Sequence, residues 1–434
     1  MTNTRLLTES FLHYLWQFQY FDKKELITTT GESITILNPG ILNTDAGPDF
    51  AQAKIKIGEI DWAGSVEIHI QSSGWYDHKH HEDAAYENVV LHVVWEENKL
   101  VQRKDGTRLP TLQLKDRADK ALLNSYQKLV TNTSVIPCQS TFANVNEVTR
   151  HSMIDKAAMI RVEAKSKQVL KLLETNQGDW GETAYQLLAS GFGFKVNKDS
   201  FLQLARALPY KLIRKHRAKV EQVEALLFGQ AGFLVAKTKD EYLTRLYTEF
   251  EFLSKKYNLT QSQLHPAQWK FLRLRPSNFP SLRIAQFAAL LSLQENIFSV
   301  LIETENYKDL ESLLRIETSP YWKNHYWFTK PVEGTVPEIG ADSREVLLIN
   351  TIIPLLIAYG QSRDDWNYVD RAILFLQQIP PERNKIIRTW QQLGSVPTNA
   401  FETQGLIELY NNFCQRRACL NCTIGSSILK PATV

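Results

Sequence analysis

Residues 65–95, SVEIHIQSSGWYDHKHHEDAAYENVVLHVVW, decide the fold, because they join two strand-like patterns through a polar, histidine-rich loop. In SVEIHI successive side chains face opposite ways, so Val66, Ile68 and Ile70 make one face and Glu67, His69 and Gln71 the other. NVVLHVVW alternates in the same sense, with His92 facing away from Leu91 and Val93. Period-two segments flank this core: SITILN and AKIKIGEI before it, PTLQLK after it. From about Asn146 the pattern becomes helical, as in HSMIDKAAMIRVEAKSKQVLKLLE and DEYLTRLYTEFEFLSKKYN, with Gly, Pro and Asn between segments. The expected fold is α+β: a small mixed α/β domain over residues 1–140, then an all-helical domain over 141–434 whose cysteine-bearing end returns to the first.

A chain of 434 residues exceeds what one hydrophobic core serves, which fits two domains. With 43% hydrophobic and 22% charged residues the composition is that of an ordinary globular protein. MTNTRLLTESFLHYLWQFQYF is too polar for a signal peptide and reads as an amphipathic helix. The most apolar run, VLLINTIIPLLIAYG, is broken by Asn350 and Pro354, so no membrane span is expected and a reducing, cytoplasmic setting is. A net charge of +3 implies no polyanionic partner by itself, but KVNKDSFLQLARALPYKLIRKHRAK (195–219) is rich in cations. Such a run is either a solvated helix face or a footprint for nucleic acid.

The four cysteines form a pattern of one plus three: Cys138, then Cys414, Cys419 and Cys422 in FCQRRACLNC. C-x4-C-x2-C lets three thiolates converge on one zinc ion or iron–sulfur cluster, with Cys138 as the fourth ligand; spacing alone does not separate zinc from iron–sulfur. Two disulfides, or four unconnected core thiols, are the other readings.

The densest chemistry lies between residues 47 and 95. Asp49 follows Gly47-Pro48 ahead of a strand, and Glu67 and His69 share one strand face. An acid after proline followed by E-x-basic resembles the PD-(D/E)-x-K nuclease core, with His69 in the lysine position. That resemblance implies magnesium or manganese held by Asp49 and Glu67, with His69 orienting or activating water. A second reading uses His69, His78, His80, His81 and His92, with Asp77 and Asp83, as ligands of zinc, iron or manganese. The bland alternative leaves Glu67 and His69 as a polar pair on an open sheet face and HKHHED as a solvated loop. Trp75 and Tyr76 either stack on a ligand or plug the sheet edge.

In the helical half, LASGFGFKVNKDSF lacks the spacing of a phosphate loop and reads as a turn between helices. WKFLRLRPSNFPSLRIAQFAALL places Arg273, Arg275 and Arg283 around a helix start at Pro280-Ser281, which suits either a phosphate or ion pairs between helices. PPERNKIIRTW reads as a proline-opened helix and the tail SSILKPATV as loose.

Taken together, GPDF, the 65–94 stretch, GFGFKVNKDSFLQLARALP, VEALLFGQAGFL, RLRPSNFPSLRIAQFAALL and CLNCTIG resemble the bacterial domain of unknown function 2851 family, in order and over nearly the whole chain. Where that family has Ser-Asp-Trp this chain has Ser73-Gly74-Trp75, so no acidic role carries over there. The resemblance implies a bacterial cytosolic protein and no chemistry. Two functions follow from the residues: a metal-dependent, nuclease-like phosphodiesterase with a cysteine-bound metal, or a non-enzymatic scaffold for nucleic acid or protein, stapled by a structural metal.

Overall fold

The structure, a computed structural model, describes residues 7–43, 45–236 and 238–430. The fold is α+β. It divides into two compact units, Met1–Met153 with Leu409–Val434, and Ile154–Glu408. The segment bearing the cysteine triplet therefore belongs to the first unit, and the boundary falls inside a long helix rather than near residue 140.

In the first unit, helix α1 (Glu9–Phe18) starts where the Thr8 hydroxyl accepts a hydrogen bond from the Phe11 amide at 3.3 Å, and stops at Gln19 in the left-handed region. It buries Phe11, Leu12, Tyr14, Leu15 and Trp16 and packs over strand β4 of the sheet. The strands are β1 (Ile34–Asn38), β2 (Ile41–Leu42), β3 (Phe50–Ile57), β4 (Ile60–Gln71), β5 (Val89–Glu96) and β6 (Thr111–Gln113). Their order is β1-β3-β4-β5-β6, with β2 beside β3. β1, β3 and β4 are antiparallel, whereas β4/β5 and β5/β6 are parallel. A parallel neighbour needs a crossover, and residues 72–88 supply it, including the short helix α2 (Gly74–Asp77).

Two local devices shape the region around Asp49. The β3/β4 register slips between Phe50 and Ala53, where Gln52 takes a φ of 59°, a bulge that bends the start of β3 and re-aims the residue before it. At Gly64 an added Cβ would meet the Asn88 carbonyl at 2.3 Å, so only glycine lets β5 begin this close to β4. Helix α3 (Lys120–Thr131) follows the sheet, and Tyr126 stacks on Phe11 of α1 at 4.5 Å.

The second unit is built on helices α4 (Glu147–Thr175), α5 (Trp180–Phe192), α6 (Lys198–Ala207), α7 (Tyr210–His216), α8 (Val220–Gln230), α9 (Glu241–Tyr257) and α10 (Pro280–Leu293), followed by shorter ones. Of GFGF, Gly191 and Phe192 end α5, and the turn into α6 runs over residues 193–197; α10 opens with Pro280 at its first position. Three expectations are corrected. Ala341–Arg363 is one continuous helix, long and apolar enough to cross a membrane but mostly buried within its unit; a wide π turn over Leu348–Ile352 absorbs Pro354, which has no amide to donate. The helix in PPERNK is opened by Asn384, whose side chain accepts from the Ile387 amide at 3.0 Å, and not by proline. Thr423–Leu429 is helical, so the start of SSILKPATV is ordered; residues 431–434 lie outside the described ones.

Glu224 on α8 is fully buried, accepting hydrogen bonds from Ser319 at 2.7 Å and Tyr242 at 2.9 Å. Burial pushes its carboxyl up to about 7. Between the ordinary carboxylate value and about 7 the folded state holds a proton that the unfolded chain has released, so stability falls as pH rises through that window. Glu224→Gln is expected to leave stability at pH 5 unchanged and raise it at pH 8 by on the order of 2–3 kcal/mol. Urea denaturation at the two pH values measures the difference.

Candidate metal centre

The β4/β5 pairing sets Glu67 directly beside His92 in a parallel ladder, so both side chains leave the sheet on the same face as His69. That face is not open. Glu67 is 4% exposed and His69 2%, because the crossover 72–88 folds back over them. Trp75 anchors the crossover: its ring is buried with Val89, Val101 and Leu109, and its indole donates to the Gln102 carbonyl at 3.2 Å. Tyr76 accepts from the Gln102 amide and donates to the Leu100 carbonyl, so this pair plugs the sheet edge. Gly74 is where the loop passes closest, since a Cβ there would stand 2.5 Å from the His69 ring.

Under this cover the histidines converge. His69 Nε2 lies 3.2 Å from His78 Nδ1 and 3.9 Å from Glu67 Oε1, and His80 Nε2 lies 3.2 Å from Glu67 Oε1. One nitrogen each from His69, His78 and His80 falls within 4.8 Å of the others. Ligand atoms around one tetrahedral ion stand about 3.3 Å apart; the His69–His78 pair, at 3.2 Å, meets that spacing, and His80 lies within 4.8 Å of both. His69 Nδ1 meets His92 Nε2 at 2.8 Å. A proton on Nδ1, donated to His92, leaves Nε2 with its lone pair facing the cluster. Burial, then the His80 and His78 rings, pushes His69 down to about 3, and burial holds His92 well below its usual value. Both rings are therefore neutral near pH 7. His80 Nε2 is close to Glu67 but off the line of a hydrogen bond, so it stands buried without such a partner, as does His92 Nδ1. With its Nε2 accepting from His69, His92 carries its proton on Nδ1 and has no lone pair there for an ion, so only the His80 nitrogen could turn one toward a metal.

The two carboxylates are knitted together through the backbone. Asp49 N donates to Glu67 Oε2 at 3.1 Å, and Ile68 N donates to Asp49 Oδ2 at 3.0 Å. Burial raises the Glu67 carboxyl above its usual value, and the Asp49 charge adds to this. His13 of α1, which the sequence did not single out, stands 3.2 Å from Asp49 Oδ2. Tyr86 was also missed; its ring stacks on His80 at 3.8 Å, and burial, then Glu67 and Asp49, push its phenol up to about 12. Beside them a cleft of about 370 Å³ is lined by Trp75, His80, Tyr86, Arg103 and Lys104 among others. His78 is the exposed member of the cluster, so the centre reaches solvent on that side.

Other predicted residues lie elsewhere. His81 pairs with Glu82 at 3.5 Å, outside the cluster. Asp83 caps the turn at Ala85, and Asp77 is exposed. Arg273 and Arg275 are exposed loop residues. Arg283 is neither a phosphate ligand at the surface nor an ion-pair partner of an opposing acid: its guanidinium is buried, donates to Asn278, Gln286 and Ser343, and lies 4.6 Å over the Phe194 ring. Cys138, Cys414, Cys419 and Cys422 are all buried in the first unit. Burial first, and the neighbouring sulfurs second, push Cys138 up to about 12 and Cys419 up to about 11, with Cys414 raised further. The four sulfurs thus stand within electrostatic reach of one another. Arg417, at a φ of 55°, turns the chain between Cys414 and Cys419.

The protein family described as a protein of unknown function (DUF2851) matches residues 9–385, and the chain belongs to it. That match takes in the histidine centre and Cys138 but stops short of the cysteine triplet. No curated protein and no solved structure matches the chain.

Because His69 is locked between His92 and His78, it has no room to yield to a side chain at position 74. Gly74→Ala is expected to destabilise the protein by about 1–3 kcal/mol, read as a lower urea midpoint. An unchanged midpoint would show that the crossover is loosely seated.

Proposed function

We propose that the chain is a metal-dependent hydrolase of phosphodiesters whose centre uses His69, His78 and His80 as ligands and Glu67 as general base. The observation that carries this reading is the convergence of three imidazole nitrogens, that of His69 held neutral by burial, beside the buried Glu67 carboxylate. Imidazole donors favour zinc, iron or manganese over magnesium, which prefers oxygen. The roles therefore differ from those drawn from the nuclease resemblance: His69 becomes a ligand rather than the residue that activates water. A bound ion would polarise the phosphoryl oxygen and lower the pKa of water. Glu67, with its carboxyl raised by burial, takes the proton of the attacking water. Asp49 fixes Glu67 through its amide and is itself held by His13. Arg103 and Lys104 bring cations to the adjoining cleft.

The choice of a phosphodiester rests on the motif resemblance: Asp49 stands just before β3 and Glu67-x-His69 lies on β4, the order of acid and E-x-basic in the nuclease motif named above.

The test is hydrolysis of bis(p-nitrophenyl) phosphate and of DNA and RNA oligonucleotides with added zinc or manganese. Glu67→Gln is expected to lower kcat about 10²- to 10⁴-fold while the fold, read by circular dichroism, persists. His78→Ala, at the exposed ligand, is expected to remove one equivalent of metal. Full activity in Glu67→Gln would sink the enzyme reading. Metal loss without any hydrolysis in the parent protein would favour the second reading, a scaffold held by a structural ion, which the near-complete burial of Glu67, His69 and His80 supports.

For the cysteine quartet we infer a structural zinc ion or iron–sulfur cluster. Its raised thiol pKa values mean that an ion must displace protons, so affinity should rise steeply with pH. Anaerobic purification with metal analysis and an absorption spectrum distinguishes a coloured cluster from colourless zinc, and Cys419→Ser is expected to lose either. Retention of the full metal content by this variant would remove the site.

A further inference from the structure

Within the helical unit a trough of about 710 Å³ runs between α4 and α6. Among the described residues that line it are six cations, Arg161, Lys165, Lys171, Lys195, Lys198 and Arg206, and no Asp or Glu. On α4 the lining positions 161, 165, 168, 171 or 172 and 175 recur once per turn, so they form one face about 20 Å long. Lys198, Leu202 and Arg206 form the facing row on α6, with Lys195 in the turn before it. One member is set deep. The Lys165 ammonium donates to the Gln404 side-chain oxygen at 2.6 Å, to Asn350 at 2.9 Å and to the Ile349 carbonyl, all neutral acceptors. Arg161, beside it, donates to Gln404 and reaches Glu408 at 3.4 Å.

Two further features mark the trough. Its floor includes Asn350 and Thr351 from the π turn Leu348–Ile352, a widened turn of the kind often found at functional positions. Phe194 lines it from a backbone φ of 47°, a left-handed conformation that a bulky residue keeps only when its surroundings enforce it. The apolar side chains Leu172, Leu187 and Phe194 also line it.

We propose that this trough binds a segment of single-stranded nucleic acid through its phosphate backbone. Cations spread over about 15 Å of α4, with a second row on α6, exceed what one compact phosphate compound can meet, whereas a strand repeats its charge along that length. The apolar lining from Leu172, Leu187 and Phe194 suits unstacked bases, which a duplex keeps inside. The proposal is independent of the metal centre, since every residue it uses lies in the other unit.

The test is fluorescence anisotropy with the full chain and a labelled phosphorothioate oligothymidylate of about 12 nucleotides, chosen to resist cleavage. The single strand is expected to bind more tightly than a duplex of equal length, with affinity falling as salt rises. Lys171→Glu with Lys198→Glu, both exposed residues, is expected to weaken binding at least tenfold and to lower the slope of log affinity against log salt by about 1.4. Lys255→Glu with Lys256→Glu, in the last turn of α9 and outside the trough, is expected to change neither. Equal binding by the parent and the trough variant overturns the proposal. So does complete displacement by micromolar pyrophosphate, which would make the ligand a small phosphate compound, and so does equal weakening by both double variants, which would make the attraction diffuse.

Discussion

A carboxylate and three imidazoles, Glu67, His69, His80 and His92, lie buried between the sheet and its own crossover, and the first unit is organised around satisfying them. An unpaired polar group in such a layer costs free energy comparable to a lost hydrogen bond, and an unpaired charge far more. The structure meets most of this with backbone amides and ring-to-ring contacts. Glu67 takes the Asp49 amide, Asp49 takes the Ile68 amide, and His69 bridges His92 and His78. What remains unmet is confined to ring nitrogens, chiefly His80 Nε2 and His92 Nδ1.

Much of the sheet was legible because period-two alternation is a local signal, and Glu67 and His69 had to share a face once β4 was recognised. Burial of that face was not legible. HKHHED reads as solvated by composition, and only the docking of Trp75 against Val89, Val101 and Leu109, residues from other elements, draws His80 inward. His13 was hidden for the same reason: it sits in an aromatic helix whose position over the sheet is a tertiary fact, although a lone histidine in FLHYLWQF was a usable hint. Arg283 failed in the opposite direction. A cation near a helix start suggested an anion site, but Asn278 and Gln286, five residues before it and three after, hold the guanidinium locally, and burial pushes it down to about 10.

The cysteine quartet shows how burial and charge act together. Cys138, Cys414 and Cys419 are each raised first by loss of water and then by neighbouring sulfurs, so without an ion these thiols are neutral, weakly polar side chains that pack as core. The surroundings fit close packing: an added Cβ at Gly425 would press on the Cys419 carbonyl at 2.2 Å, and Thr423 donates its amide to the Met153 sulfur. Ion binding here would convert ordinary packing into a cross-link between the segment after α3 and the returning C-terminal segment, closing a long loop of chain. Loop closure of that length is where a cross-link stabilises most, since the unfolded chain loses the most freedom.

The two units present opposite electrostatic problems. In the first, desolvation strips charge from His69 and His92. In the second, Lys165 is held among neutral oxygens with Arg161 alongside, and burial, then Arg161, pulls its ammonium down to about 7. A lysine pressed toward neutrality by burial and a neighbouring cation is relieved by negative charge, and the carboxylates of Glu382 and Glu408 already act in that direction without restoring it. An anion entering the trough would therefore gain more from Lys165 than from an ordinary surface lysine, because it would restore the charge as well as meet it. That gain does not depend on any residue of the histidine centre, which is why loss of one capacity need not carry the other with it.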